Sequence, residues 1–180
     1  MSKTGRSGLD ANGNYDWNAT LSYDAPVTAV VSSRGPGKTF GLRMQCVRDY
    51  LEHGWRFVDV SRTLTDLKSV RSNYFDRIQD AGYFEGYEFK SEGQNLYIAS
   101  KKAPNGKQAW GLIGYLRALT QAQSVKKETI TRVRRIVQDE FIIERFDSYH
   151  RYLPGEWEAL TSIVSSASRE RAGHAGMEPR

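Results

Sequence analysis

VVSSRGPGKTF, residues 30–40, places a glycine-rich turn and a lysine directly after an apolar run. The run TAVV, residues 28–31, predicts a short buried strand. After the turn, residues 40–51 carry apolar side chains every three or four positions, which predicts a helix. The turn therefore joins a strand to a helix, and the sequence predicts an α/β fold around it.

A turn in this position is what a phosphate-binding loop requires. Glycines let the backbone curl so that several N–H groups and the positive end of the helix face one phosphate. Gly37, Lys38 and Thr39 match the end of the pattern G-x-x-x-x-G-K-[ST], although Ser32 replaces its first glycine. The alternative is an ordinary glycine turn with an exposed lysine. The predicted nucleotide-binding residues are Ser33, Arg34, Gly35, Pro36, Gly37, Lys38, Thr39 and Phe40.

Composition limits what the chain can be. With 180 residues and 39% hydrophobic content, it can bury one core of ordinary size, which predicts one main domain. A pI of about 9.3 suits a polyanionic partner, but equally a mildly basic enzyme. The only cysteine, Cys46, excludes an intramolecular disulfide or a cysteine zinc cluster, so we expect a reducing, cytoplasmic setting. We expect neither a membrane span nor an export signal, because no long apolar run occurs.

The middle of the chain predicts further strands and a helix. Residues 56–61 (RFVDVS) alternate as a strand does, and residues 64–78 have apolar side chains at helical spacing. Three short strands, at 87–91, 95–100 and 108–115, are separated by turns that contain glycine. The sequence therefore predicts a β-meander in this region.

A pair of acidic residues follows the last predicted strand, in VRRIVQDEFII. The strand ends by presenting Asp139 and Glu140 side by side. Next to a phosphate-binding loop, the first carboxylate can hold Mg²⁺ and the second can polarise an attacking water. The alternative is an acidic pair in a solvated loop, but the apolar residues on both sides would make two merely structural carboxylates costly.

Together these segments resemble the DNA-encapsidation ATPases of small short-tailed bacteriophages, which are relatives of terminases and FtsK/HerA-like translocases. The segments that carry the resemblance, between residues 23 and 171, are SRGPGKT, FVDVSR, NYFDRI, WGLIGYLRAL, DEFIIE and YLPGEWEALTSIVSSASRER. It implies an additional-strand P-loop NTPase fold of the RecA/FtsK type, with a mostly parallel sheet flanked by helices and an inserted β-hairpin region. An adenylate-type kinase would not be expected to show this acidic motif followed by this helix.

The resemblance implies a motor that hydrolyses ATP, with Mg²⁺, to drive double-stranded DNA into a preformed capsid. Lys38 and Thr39 would bind phosphate and the metal, and Asp139 would also serve the metal. Glu140 would be the catalytic base, and Arg34 could reach the γ-phosphate. The helix predicted over residues 155–168 ends near Arg169 and Arg171, one of which would reach a neighbouring subunit's nucleotide. Either arginine could instead be a cation that suits a helix C-terminus.

The implied partners are double-stranded DNA, other copies of the chain in a ring, by resemblance a pentamer, and the phage portal or procapsid. The setting would be the host cytoplasm, transiently on the procapsid portal. DNA contacts would be to phosphates without reading of bases. The candidates are Lys101, Lys102, Lys107, Arg132, Arg134 and Arg135, although charge runs are often solvated faces. Aromatic residues before the first strand could pack on adenine or serve ordinary packing, namely Tyr15, Trp17 and Tyr23.

We predict a flexible segment over residues 1–22, an ATPase domain over 23–171 and a disordered tail over 172–180. The resemblance places one more strand, with a polar sensor residue, between the strand before the turn and the acidic strand. No apolar run for it follows Ile163 and Val164, so we expect the chain to lack its last strand or strands. Two other functions stay open: a P-loop nucleotide kinase, and a catalytically silent fragment that binds DNA or a partner ring.

Overall fold

The computed structural model describes residues 15–31, 35, 37–102, 107–143 and 151–173. The helices are α1 (Trp17–Leu21), α2 (Lys38–His53), α3 (Leu64–Ser72), α4 (Asp76–Asp80), α5 (Ala122–Val125), which a 3₁₀ turn over Leu119–Gln121 precedes, and α6 (Glu156–Gly173). The strands are β1 (Arg56–Ser61), β2 (Tyr87–Glu92), β3 (Asn95–Ser100), β4 (Gly111–Ala118) and β5 (Val133–Gln138). Within the described ranges, no helix has the length and apolar character that crossing a membrane requires.

The five strands form one mixed sheet in the order β2-β3-β4-β1-β5. β1 pairs in parallel with β4 and with β5, whereas β2, β3 and β4 are joined by antiparallel pairings. The predicted α/β class and the three-stranded meander are therefore confirmed. The mostly parallel sheet that the resemblance implied is instead mixed, because β2, β3 and β4 pair in the antiparallel sense. Because β4, β1 and β5 run the same way, their carboxyl ends lie at one edge of the sheet.

Helices cover both faces of the sheet, and successive residues of β1 pack alternately into the cores on its two faces. Phe57 belongs to a core cluster with Met44 and Val47 of α2 and with residues of α3 and α4. Val58 and Val60 face the other way, into a cluster that includes Val125 of α5 and residues of α6. This two-sided burial explains why residues 57–60 of β1 are all buried, as expected of a strand covered on both faces.

The predicted strand over residues 28–31 is wrong. The structure assigns no strand there, and Val27 and Val31 are 74% and 72% exposed. A strand is stable only when a neighbouring strand takes its backbone hydrogen bonds. In the described part of the chain, residues 28–31 pair with no strand, and β5, at the edge of the sheet, pairs with β1 alone.

The helix predicted over residues 64–78 is two helices. α3 begins with a capping box at Thr63, whose hydroxyl accepts the Asp66 N–H while the Asp66 carboxylate accepts the Thr63 N–H. The chain then turns before α4, and this turn buries Tyr74 and Phe75 together in the core. Leu67, Tyr74 and Ile78, which lie at the predicted spacing, are buried, but the spacing did not mark Phe75 and could not show the turn.

α1 lies within the segment predicted to be flexible, whose described part begins at Tyr15. The indole Nε1 of Trp17 donates to the Lys38 carbonyl at 2.8 Å, and the ring covers Gly41. Asp16 caps α1 by accepting the Ala19 N–H at 2.9 Å. The aromatic side chain thus packs on the first turn of α2.

Replacing Gly114 tests the contact between β1 and β4. A Cβ at this position would lie 2.8–3.0 Å from three ring carbons of Phe57, which is itself buried and has little room to move. We expect Gly114→Ala to lower the free energy of unfolding by about 1–3 kcal/mol, measured by urea denaturation. The matched control is Gly86→Ala, where an added Cβ meets no atom within 4 Å. Equal losses in the two variants would contradict the packing described here.

Candidate functional site

The amino terminus of α2 lies at the carboxyl edge of the parallel strands. Gly37 is its N-cap, with φ 69° and ψ 24°, a left-handed conformation that glycine adopts without strain. No side chain caps this end, and its first turn contains no acidic residue. Backbone N–H groups at such an end carry partial positive charge and suit an anion.

Thr39 and Asp139 meet although they lie 100 positions apart in the sequence. The Thr39 hydroxyl donates to the Asp139 carboxylate at 2.5 Å. Thr39 stands in the first turn of α2, and Asp139 directly follows β5. The two predicted metal ligands are therefore brought together, and both offer the hard oxygen atoms that Mg²⁺ prefers.

Glu140 stands beside this pair in an unusual backbone conformation. Its φ is 51°, in the left-handed region that costs energy for a residue with a Cβ. Its N–H donates to the Asp139 carboxylate at 3.0 Å. Both acidic residues are exposed, and Phe141 and Ile142 are 36% and 51% exposed. The argument that apolar neighbours bury this pair is thus wrong, because the strand ends before it.

Arg62, the residue after β1, holds the backbone that follows Asp139. Its Nη2 donates to the carbonyl of Phe141 at 3.0 Å and lies 3.4 Å from that of Glu140. The same guanidinium pairs with both carboxylate oxygens of Glu156 at 3.1 Å. Glu156 is the first residue of α6, so one arginine joins three elements.

Glu156 is held by several donors. Besides Arg62, the Leu153 N–H donates to its carboxylate at 2.9 Å and Gln138 at 3.4 Å. Burial alone would raise the pKa of Glu156, but the hydrogen bonds from Arg62, Leu153 and Gln138 outweigh it and leave this pKa below its ordinary value.

A buried polar cluster formed by Asp59, Tyr74 and Arg43 lies near Asp139. Tyr74 donates its hydroxyl to Asp59 at 2.7 Å, and Arg43 approaches the same oxygen at 3.8 Å while its guanidinium covers the Tyr74 ring. Burial raises the pKa of Asp59; Arg43 and Tyr74 oppose that rise, and the negative charge of Asp139 adds to it. Burial likewise raises the pKa of Tyr74.

Part of the predicted site cannot be placed. Ser33, Arg34 and Pro36 lie outside the described residues, as does Ser32. Gly35 is described and has φ 116°. Arg169 and Arg171 belong to the final turns of α6, but their side chains are outside what the structure describes. Phe40, in the first turn of α2, packs against the core, and the centre of its ring lies 5.8 Å from that of Tyr83.

The predicted DNA-binding residues fall into two groups. Lys101, Lys102 and Lys107 are exposed next to the connection between β3 and β4, and for them the prediction stays a prediction. On β5, Arg134 pairs with Asp24 at 3.2 Å, whereas Arg135 pairs with Asp49 of α2. Arg135 is thus already engaged in attaching α2 to the sheet. Arg132, just before β5, is exposed and has φ 55°.

Sequence reasoning did not assign Arg62, Glu156 or Asp59 to the site. A carboxylate inside the apolar run RFVDV indicates a buried partner, which would have pointed to Asp59. Glu156 follows a proline and a glycine at a helix start, a position that suits an acidic residue. The pairing of Arg62 with Glu156 spans 94 positions, and no local pattern signals it.

A protein-family model described as "Podovirus DNA encapsidation protein (Gp16)" matches residues 9–177. A "DNA packaging protein" of Bacillus phage B103 is 33% identical over 151 residues, which are 84% of this chain and 42% of that protein. The "DNA packaging protein" of Bacillus phage phi29 is 31% identical over 163 residues, 91% of this chain and 45% of that one. The chain thus spans less than half the length of these curated relatives.

Solved structures give the same likeness. The crystal structure of the N-terminal domain of the DNA packaging ATPase from bacteriophage phi29 matches with a TM-score of 0.71 and 30% identity, over 87% of this chain and 73% of that one. The bacteriophage Phi-29 viral genome packaging motor assembly matches with a TM-score of 0.68 and 29% identity, over 88% of this chain and 44% of that one.

A double-mutant cycle tests the contact between Thr39 and Asp139. With no nucleotide present, we expect Thr39→Val and Asp139→Ala to show a coupling of about 0.5–1.5 kcal/mol in the free energy of unfolding, because the first removes the donor and the second the acceptor of the same hydrogen bond. The control cycle pairs Thr39→Val with Asp80→Asn, which is exposed at the end of α4. Strict additivity in the first cycle would show that the two side chains do not interact.

The lowered pKa of Glu156 predicts a pH-dependent stability. An acid whose pKa is lower in the folded state stabilises that state above its unfolded pKa, and this stability is lost as pH falls through the folded pKa. At neutral pH we expect Glu156→Gln to unfold more easily by about 1–3 kcal/mol, since charged hydrogen bonds are lost. Urea unfolding from pH 7 to pH 3 should show this difference shrinking below the ordinary glutamate value of 4.5.

Glu158→Gln is the control for that measurement, since Glu158 is an exposed residue of the same helix turn. It should change the free energy of unfolding by no more than about 0.5 kcal/mol across the range. A deficit of Glu156→Gln that stayed constant from pH 7 to pH 3 would contradict the hydrogen-bond network described for Glu156.

Proposed function

The chain belongs to the podovirus DNA encapsidation protein family, and on that premise we propose that it binds and hydrolyses ATP with Mg²⁺ as part of a phage DNA packaging motor. The observation that carries this proposal is the contact between Thr39 and Asp139. Thr39 follows the loop lysine, Lys38, and Asp139 is the first of the two acidic residues, so the contact joins the two motifs. Two distant motifs thus meet at the carboxyl edge of the sheet, where α/β folds bind their ligands.

The uncapped amino terminus of α2 would hold the phosphates of ATP. Gly37 turns the backbone there, and no side-chain cap hydrogen bond is made at this N-cap. Lys38, half-buried at the first position of α2, would supply the positive charge for the β- and γ-phosphates. Binding would then depend on Lys38 more than on other lysines of the chain.

Thr39 and Asp139 would hold the metal ion through their oxygen atoms. Mg²⁺, when bound, neutralises charge that develops on the phosphates during transfer. The pair donates no nitrogen or sulfur ligand, which fits magnesium better than a transition metal. Asp139 also accepts the N–H of Glu140, so the same carboxylate orients its neighbour.

Glu140 would act as the base that takes a proton from the attacking water. Its side chain is exposed, and its left-handed backbone follows the end of β5. A general base must lie within hydrogen-bond reach of the water, and its neighbours must hold it there. The contacts of Arg62 with the backbone at 140–141 meet the second requirement.

The motor function is proposed from the relatives. Two solved structures with this fold, both from phi29, are described as a DNA packaging ATPase domain and as a viral genome packaging motor assembly. We propose that this chain acts on double-stranded DNA in a homo-oligomeric ring at the phage portal. Lys101, Lys102 and Lys107 would contact phosphates, and Arg169 or Arg171 at the end of α6 would reach the nucleotide of a neighbouring copy.

The test is ATP binding and hydrolysis in the presence of Mg²⁺, with and without long double-stranded DNA. We expect Lys38→Ala to weaken ATP binding at least tenfold, and Glu140→Gln to retain ATP while hydrolysis falls by about 10²-fold or more. DNA should raise the turnover of the wild-type chain. The matched control for Lys38→Ala is Lys68→Ala, an exposed lysine on α3.

The outcomes separate the alternatives. ATP binding that Lys38→Ala leaves unchanged would overturn the proposed nucleotide site. Turnover that needs an acceptor substrate and ignores DNA would indicate a nucleotide kinase instead. DNA binding without any effect of Lys38 or Glu140 would indicate a catalytically silent module.

A further inference from the structure

We propose that Arg62 is a positioning residue that fixes the backbone of Glu140 and makes its position depend on helix α6. The structural part of this proposal concerns contacts within the chain alone. Its catalytic part rests on the proposed function, because it matters for ATP only if Glu140 acts as the base. We call Arg62 and Glu156, together with the carbonyls of residues 140 and 141, the arginine clamp.

The clamp uses the fork shape of the guanidinium. Nε and Nη2 face the Glu156 carboxylate, and Nη2 also points at the carbonyls of Glu140 and Phe141. The side chains of Arg62 and Glu156 are only 10% and 16% exposed, so water screens their attraction weakly. Lysine, which has one ammonium group, could not keep both partners in this geometry.

The backbone at Glu140 requires such support. A φ of 51° at a non-glycine residue is strained and persists only when the surroundings hold it. Two hydrogen bonds stabilise the backbone of residues 140–143. The Glu140 N–H donates to the Asp139 carboxylate, and the Ile143 N–H donates to the Tyr152 hydroxyl. The guanidinium of Arg62 lies 5.4 Å from the ring of Tyr152, the residue whose hydroxyl accepts the Ile143 N–H.

Glu156 extends the clamp to α6. It begins the helix, accepts the Leu153 N–H and a contact from Gln138 at the end of β5, and pairs with Arg62. Movement of α6 would therefore displace Arg62, and Arg62 would in turn displace the backbone carbonyls of residues 140 and 141. α6 is also the helix whose far end carries Arg169 and Arg171, so a shift there has a direct route to the base.

The competing explanation is an ion pair that only stabilises the fold. Such a pair would change the free energy of unfolding when removed, but it would leave the local order of residues 140 and 141 as it was. Another arginine offers a matched control: Arg117 of β4 pairs with Glu128 and is likewise mostly buried. Arg117→Ala removes an ion pair of the same kind away from Glu140.

The structural arm measures backbone motion by NMR relaxation in the full chain without nucleotide. In the wild type we expect amide order parameters near about 0.85 at residues 140 and 141, falling below about 0.6 in Arg62→Ala. Glu156→Gln should lower the same order parameters, although no hydrogen bond joins Glu156 to either residue. In Arg62→Lys we expect order parameters between those of the wild type and those of Arg62→Ala. Unchanged order at 140 and 141 in Arg62→Ala, or an equal loss in Arg117→Ala, would overturn the clamp.

The catalytic arm measures ATP turnover per folded molecule. We expect Arg62→Ala to lower kcat by about 10- to 100-fold while KM for ATP stays within about threefold, because displacing the base affects the chemical step rather than binding. In a Glu140→Gln background, Arg62→Ala should cost less than threefold, since its effect passes through Glu140. A full additional loss in that background would overturn the positioning role.

The two arms separate failure of this inference from failure of the proposed function. If the wild-type chain does not bind or hydrolyse ATP, the proposed function fails, and the order parameters alone decide whether the clamp exists. If ATP is hydrolysed and Arg62→Ala changes neither the order parameters nor kcat, the proposed function stands and the clamp is refuted.

Discussion

The parallel pairing of β1 with both β4 and β5 is the constraint on which the site depends. It brings the ends of β1 and β5 to one edge, where Arg62 and Asp139 directly follow these two neighbouring strands. Residues 62 and 139 are far apart along the chain, and the sheet alone makes them neighbours. The site is thus formed by topology first, and only then by the chemistry of single residues.

Helix α2 is attached to this sheet by polar contacts as well as by apolar packing. Along one side of the helix, Thr39 contacts Asp139, Arg43 contacts Asp59, and Asp49 contacts Arg135. Two of these contacts involve carboxylates that are less than 10% exposed, which would be costly without their arginine partners. Such pairs fix one position of the helix against the strands, because sliding by a turn would leave buried charges unpaired.

Much of the fold follows from local patterns, whereas the site follows from them only in part. Alternation and helical spacing predicted β1, β3 and α2 closely, because those elements bury one definite face or both. The strand expected at residues 28–31 failed because strand formation depends on a neighbour, which local sequence does not encode. Asp139 and Glu140 were proposed as site residues from their adjacency, whereas the pairing of Arg62 with Glu156 is a product of long-range folding.

The burial of Cys46 has a practical consequence. It is the only cysteine of the chain, it is 2% exposed on α2, and burial raises the pKa of its thiol, so the reactive thiolate is scarce in the folded protein. A second cysteine introduced at an exposed position, such as Ser165 on α6, would react with a maleimide dye while Cys46 stays unlabelled. The native sequence therefore already provides the single-site labelling background that fluorescence studies of moving proteins usually have to engineer.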